Sequence, residues 1–166
     1  AAEGFSTVAL AWVGMSALGA LPFVISREIP HFADAFFETV SGFTTTGASI
    51  LTNVEALSHG MLFWRSFTHW VGGMGVLVFI MALVPNLSDR SIHIMRAEVP
   101  GPIVGKLVPR IKDSAKILYL IYVVLTAIEA IVLIVSGMSV FDGVVHAFAT
   151  AGTGGFGIRS DSVGSY

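Results

Sequence analysis

Two short stretches hold the residues best suited to act on a ligand, and neither is suited to covalent chemistry. Thr44-Thr45-Thr46-Gly47 lies within segment 42–49, and Thr153-Gly154-Gly155 lies within segment 151–157. Three consecutive β-branched threonines between glycines favour extended backbone. Such a strand can turn its carbonyl oxygens inward and replace the water shell of a cation. Glycine at the turning point permits backbone angles closed to other residues and keeps side chains out of the path, while threonine packs outward or adds a hydroxyl oxygen. The candidate coordinating residues are Thr45, Thr46, Gly47, Thr153, Gly154 and Gly155.

Other chemistries fit less well. The chain has no cysteine, which removes disulfides, thiolate metal sites and thiol nucleophiles. His31, His59, His69, His93 and His146 show no metal-ligand spacing. A net charge of −2 gives no basic balance for nucleic acid. Glu129 lies mid-span in an apolar stretch, where it either packs protonated against a neighbouring helix or couples protons. A membrane-embedded hydrolase using Glu129 or a histidine is the rival reading. No nucleophile–base pair shares a helix face to support it, and an enzyme is not expected.

The elements that must position the two loops are membrane helices. Only 12% of the 166 residues are charged, against about a quarter in soluble domains. The stretch 5–26 has no charged residue, and between 115 and 136 only Lys116 and Glu129 interrupt the apolar run. Each is long enough to cross the hydrocarbon of a bilayer. A cleaved signal peptide fits the first stretch poorly, since no basic region precedes it. Residues 31–41 and 140–149 read as half-helices, the longer rising about 16 Å, half a membrane. Irregular backbone at membrane depth survives only where protein or a watery cavity surrounds it. A half-helix ending there presents the negative end of its dipole, which favours cations.

The chain divides into three parts. Residues 1–87 form a first pore repeat, with outer helix 5–26, half-helix 31–41, filter loop 42–49 and inner helix 59–87. Residues 88–114 form a loop, and 115–166 form an incomplete second repeat, with outer helix 115–136, half-helix 140–149 and filter loop 151–157. In the inner helix, Trp64 and Trp70 are placed as interfacial aromatics, and Gly72-Gly73 admits a close neighbour. A shift of 108 residues aligns the two repeats without a gap, superposing Asp34 on Asp142, Thr45 on Thr153 and Gly47 on Gly155. The two aspartates sit in the first turns of their half-helices, as caps or as an anionic ring at the mouth. Glu38 faces either the vestibule or Arg65, and Arg65 is read as snorkelling to the interface. Six of the nine basic residues lie between 86 and 116, which places loop 88–114 in the cytoplasm and both filter loops toward the outside.

Several motifs carry a resemblance. Phe36-Phe37-Glu38-Thr39-Val40-Ser41-Gly42-Phe43-Thr44-Thr45-Thr46-Gly47-Ala48 resembles the first pore segment of the TrkH-type potassium transport proteins, within the Trk/Ktr/HKT superfamily. So do Phe63-Trp64-Arg65, His69-Trp70-Val71-Gly72-Gly73-Met74-Gly75, Arg96 to Pro102, Pro109-Arg110-Ile111, and His146 to Thr150 followed by Gly154-Gly155-Phe156. The resemblance implies an all-α integral membrane fold of the potassium-channel kind, with four fused repeats, each lending one filter strand. It implies potassium uptake across the bacterial inner membrane, K+ as the transported ion, and no organic cofactor. It also implies a homodimer, contact with membrane lipid, and a cytosolic TrkA-type nucleotide-binding subunit. Gly47, where a sodium-favouring branch has serine, argues for potassium. One complete repeat and part of another make this chain a portion of a longer protein.

The orientation is testable through Ser91, since the chain lacks cysteine. With Ser91→Cys in the full-length protein, the thiol should be protected from a membrane-impermeant reagent in intact cells and react once the membrane is opened. Labelling from outside would invert the topology.

Overall fold

The computed structural model describes residues 2–75 and 111–166, and the regular structure within them is helical, with no strand. Helix α1 spans Ala2–Ile25 and α2 spans Phe32–Phe43. A single turn of 3-10 helix at Val54–Ala56 precedes α3, described over residues 59–75. Helix α4 spans Ile111–Val135 and α5 spans Val140–Ala151. The remainder of the expected inner helix, 76–87, lies outside the described residues. So does loop 88–114 up to residue 110; its last four residues belong to α4.

Composition explains the two helix types. α1 carries no charge after Glu3 and is apolar on all sides, whereas α2 and α5 are amphipathic. Lys116–Val135 is long and apolar enough to cross a membrane, with mean hydropathy 2.6 and little of it buried within the molecule. Glu129, midway along it, is half-buried, and its carboxylate makes no hydrogen bond or ion pair with the described residues.

The half-helices α2 and α5 have equal length and lie 108 residues apart at both ends. The helices before them end at Ile25 and Val135, which are 110 apart, so the second turn is two residues shorter. The gap-free alignment therefore slips at the outer helices. Both turns close in the same way. Arg27 and Gly137 stand in the left-handed region (φ 61° and 113°) two residues past the helix end, where the chain must reverse. Each half-helix also runs further than expected: Gly42, Phe43 and Ala151 belong to helices, not to loops.

Helix α3 is the element against which the others are arranged. Trp64 Nε1 donates to the Gly19 carbonyl of α1 (2.9 Å), and Trp70 Nε1 donates to Thr126 Oγ1 of α4 (3.2 Å). Tyr122 returns its hydroxyl to the Trp70 carbonyl (3.1 Å). Both indoles thus pin helices together, a role that their expected interfacial positions did not disclose. Ser58, just before α3, donates its N–H and hydroxyl to Glu28 (both 2.7 Å). Apolar packing follows the same plan. Ala20, Phe23, Ile29 and Ala35 form one buried cluster, while Leu57, Leu62, Val145 and Ile158 form a second, and Leu51 and Met61 pack against both.

Close approach is the condition of this arrangement. A Cβ at Gly72 would strike the Phe43 backbone at the end of α2, and one at Gly73 would lie 3.0 Å from the Gly152 Cα at the end of α5. The two adjacent glycines serve the two half-helices, one each. Around Gly14, by contrast, no atom of the described residues outside its own stretch of helix backbone lies within 4 Å of the place a methyl group would take. Gly72→Ala should therefore destabilise the full-length protein in detergent by about 1–3 kcal/mol, as overpacking against backbone does. Gly14→Ala should be neutral or stabilising by up to about 1 kcal/mol. Equal melting shifts for the two would contradict the backbone contact.

Candidate functional site

Both loops begin with the same local event. After α2, the Thr45 N–H donates to the Gly42 carbonyl (3.0 Å) and the Thr46 N–H to the Ser41 carbonyl (2.9 Å). After α5, the Thr153 N–H donates to Thr150 (2.8 Å) and the Gly155 N–H to Ala149 (3.2 Å). These bonds cap carbonyls that the sequence left unpaired at the helix ends. Each closure places a threonine in the left-handed region, Thr45 at φ 55° and Thr153 at φ 61°. A β-branched residue is rarely found there, so the surrounding contacts must hold it. Two residues on, Gly47 and Gly155 are left-handed as well (φ 77° and 73°).

The consequence concerns the carbonyls. Those of Thr45, Thr46, Gly47, Thr153, Gly154 and Gly155 accept no hydrogen bond from any described residue. Thr45, Gly47 and Gly154 are half-buried, and Thr46, Thr153 and Gly155 are exposed. The Thr44 hydroxyl donates to the Val40 carbonyl (2.7 Å) and pairs with the Thr46 hydroxyl (2.8 Å), so these side chains are occupied locally. The two loops meet where Gly47 lies directly against the Gly154 carbonyl. A coordinating role would fall to backbone oxygens.

The chain leaving each loop is held by one buried ion pair. Arg65 Nε donates to Glu38 Oε1 (2.6 Å), with side-chain exposures of 3% and 0%. Glu38 also accepts from the Ser49 hydroxyl (2.8 Å) and the Ile50 N–H (3.1 Å), at the exit of the first loop. Arg65 also donates to the Gly157 carbonyl (2.9 Å) and lies 3.5 Å from the centroid of the Phe156 ring, at the exit of the second loop. Arg65 therefore does not snorkel, and of the two readings of Glu38 the pairing with Arg65 is the one found. Sequence spacing could suggest that partnership but could not reveal Gly157 or Phe156 as its other contacts.

The aspartates differ from each other. Asp34 stands in the first turn of α2, favourable for the helix dipole. In α5 the cap is Ser139, whose hydroxyl accepts from the Asp142 N–H (3.1 Å). The Asp142 carboxylate instead accepts from the Tyr166 hydroxyl (2.7 Å), which in turn accepts from Arg159 Nε (3.1 Å). Partial burial, and then the bond to Asp142, hold the Tyr166 phenol above its usual pKa. Asp142 and Arg159 border a cleft of about 250 Å³ with Glu55, His59 and Phe141. No cluster of metal-ligating side chains occurs among the described residues.

Comparison with known proteins agrees with this geometry. The family model of the TrkH cation transport proteins matches residues 1–166. The Trk system potassium uptake protein TrkH of Escherichia coli K12 is 45% identical over 99% of this chain and 34% of its own length. The Trk system potassium uptake protein TrkI of Halomonas elongata is 36% identical over 98% of this chain and 33% of its own length. The crystal structure of the potassium transporter TrkH from Vibrio parahaemolyticus superposes on all of this chain and 32% of that one, with a TM-score of 0.80 and 36% identity. The chain thus spans about a third of the length of the relatives it matches.

The ion pair sets a clear expectation. Glu38→Ala in the full-length protein leaves a buried guanidinium without its counter-charge and should cost about 3–5 kcal/mol of unfolding free energy. Glu38→Ala combined with Arg65→Ala should cost less than the sum of the two single changes. Simple additivity in detergent unfolding would show that the two residues are not partners.

Proposed function

This chain belongs to the TrkH family of cation transport proteins, and from that premise we propose that it supplies two strands of a potassium-coordinating filter. The observation that carries the reading is the set of unaccepted carbonyls from Thr45 to Gly47 and from Thr153 to Gly155, brought side by side at the ends of two half-helices. The carbonyl end of each half-helix is the negative end of its dipole, so a cation arriving there is stabilised while an anion is repelled. Carbonyl oxygens replace water around the ion at little cost of reorganisation, and conduction follows when each site holds the ion weakly enough to release it. No bond is made or broken in the protein.

The wider assignment follows from the same premise. The relatives are named potassium uptake proteins, which makes K+ the ion carried. The unit of outer helix, half-helix, filter loop and inner helix is a duplicated one, occupying residues 1–87 and 115–166, with further units elsewhere in the whole protein. The protein is a multi-pass subunit of the bacterial inner membrane, with loop 88–114 in the cytoplasm and the filters opening outward. It works as a homodimer within lipid, with a TrkA-type nucleotide-binding subunit on its cytoplasmic face.

Gly47 gives the direct test. Its left-handed backbone and its contact with the Gly154 carbonyl leave no room for a side chain. Gly47→Ser in the full-length protein should lower the ratio of potassium to sodium uptake, because Cβ and hydroxyl displace neighbouring carbonyls. An unchanged ratio at normal membrane abundance would remove Gly47 from the filter.

A further inference from the structure

The two loops are not equivalent, and the difference traces to one side chain of α3. At the shift of 108 residues, Thr46 corresponds to Gly154 and Ala48 to Phe156. Thr46 is exposed, with room for its side chain. Position 154 has none, because the His69 imidazole fills that space: a Cβ there would lie 2.7 Å from Nδ1 and closer still to Cε1 and Nε2. The same histidine stacks on Phe156, with ring centroids 3.8 Å apart and planes 17° from parallel. Its carbonyl also lies against Gly152, 2.5 Å from where a Cβ would stand. His69 therefore touches the second loop at three alternate residues, 152, 154 and 156.

The manner of contact matters. The His69 side chain is fully buried, and by distance and angle neither ring nitrogen makes a hydrogen bond among the described residues. Burying an imidazole with unpaired nitrogens costs stability, and what the ring makes in return is its contact with Gly154 and Phe156. Arg65, one turn earlier on α3, lies over the same Phe156 ring. Phe156 is 2% exposed, so the backbone that follows Gly155 is immobilised through it.

Resting on the reading of Thr153–Gly155 as coordinating backbone, we propose that His69 is a positioning residue for ion selectivity. Its ring forms a rigid wall that sets where the Gly154 and Gly155 carbonyls stand. Among the described residues no ring stands at the matching place beside Thr46, and the first loop is held by its helix-end closure and, at its exit, by Glu38. Selectivity at the second loop thus depends on a side chain that never meets the ion.

The test uses the full-length protein, with potassium and sodium uptake, membrane abundance and thermal midpoint measured for each variant. His69→Ala should lower the potassium-to-sodium ratio by roughly tenfold, equal to about 1.4 kcal/mol of differential binding. His69→Phe keeps a flat face and should recover most of the lost discrimination. Gly154→Ala, which collides with the ring, should impair selectivity, and His69→Ala should partly restore it in the double variant. Where His69→Ala does not accumulate, His69→Leu fills the volume without a flat face and should show the same loss. If Gly154→Ala leaves the ratio unchanged, the filter reading itself fails. If Gly154→Ala impairs selectivity, while His69→Ala or His69→Leu neither lowers the ratio nor rescues it, the role of His69 is overturned and the filter reading stands.

Discussion

A buried charge must be neutralised, and in this molecule that requirement organises the site. Glu38 and Arg65 are both withdrawn from solvent, at a desolvation cost of several kcal/mol for each ion. The pair is tolerable because nearly every polar atom finds a use. Glu38 accepts from Arg65, from the Ser49 hydroxyl and from the Ile50 N–H, while Arg65 adds the Gly157 carbonyl. Those extra bonds fall on the exits of both loops. One ion pair therefore ties α2 and α3 together and fixes the ends of two segments whose own backbones make few hydrogen bonds.

The loops need such external support. Segments rich in threonine and glycine have little side-chain surface to bury, and ordering each residue costs about 1–2 kcal/mol of backbone entropy. Thr45 and Thr153 add strain by standing in the left-handed region. The compensation lies outside the loops. It comes from the Schellman-type closures at the helix ends, from the ion pair, and from Phe156 packed against Arg65 and His69. Carbonyls held in this way are fixed in advance, which is the preorganisation that the proposed cation coordination calls for.

Helix α3 carries these supports on closely spaced positions. Arg65, Thr68, His69, Gly72 and Gly73 meet the ends of α2 and α5, while Trp64 and Trp70 reach α1 and α4. Such density is possible because small residues alternate with large ones. The side chain of Thr68 occupies the space a Cβ at Gly42 would need, the Phe43 backbone that at Gly72, and the His69 ring that at Gly154. A small-to-large exchange at Gly72 acts directly on backbone, which cannot yield as a flexible side chain does, while those at Gly42 and Gly154 meet the buried side chains of Thr68 and His69.

Much of this organisation is written in local sequence. The uncharged runs, the short amphipathic half-helices and the threonine–glycine loops are patterns of composition and period, so their order along the chain was legible, as was the need for small residues at Gly72-Gly73. Local patterns set helix length less closely, and α2 and α5 continue into residues read as loop because tertiary contacts at Gly42 and Gly152 suit a helical backbone. Other features had no local signature. Arg65 looked like a snorkelling cation, Asp142 like a cap or a member of an anionic ring, and nothing local tied Trp64 to α1 or Trp70 to α4. Their partners are 27 residues away for Arg65 and Glu38, 92 for Arg65 and Gly157, and 45 for Trp64 and Gly19. What the sequence determined by itself is where the chain is apolar, where it turns and where it can expose carbonyls. Only the tertiary structure decided which charges pair, which glycine meets which helix and which ring walls the second loop, because those are choices among distant partners made by packing.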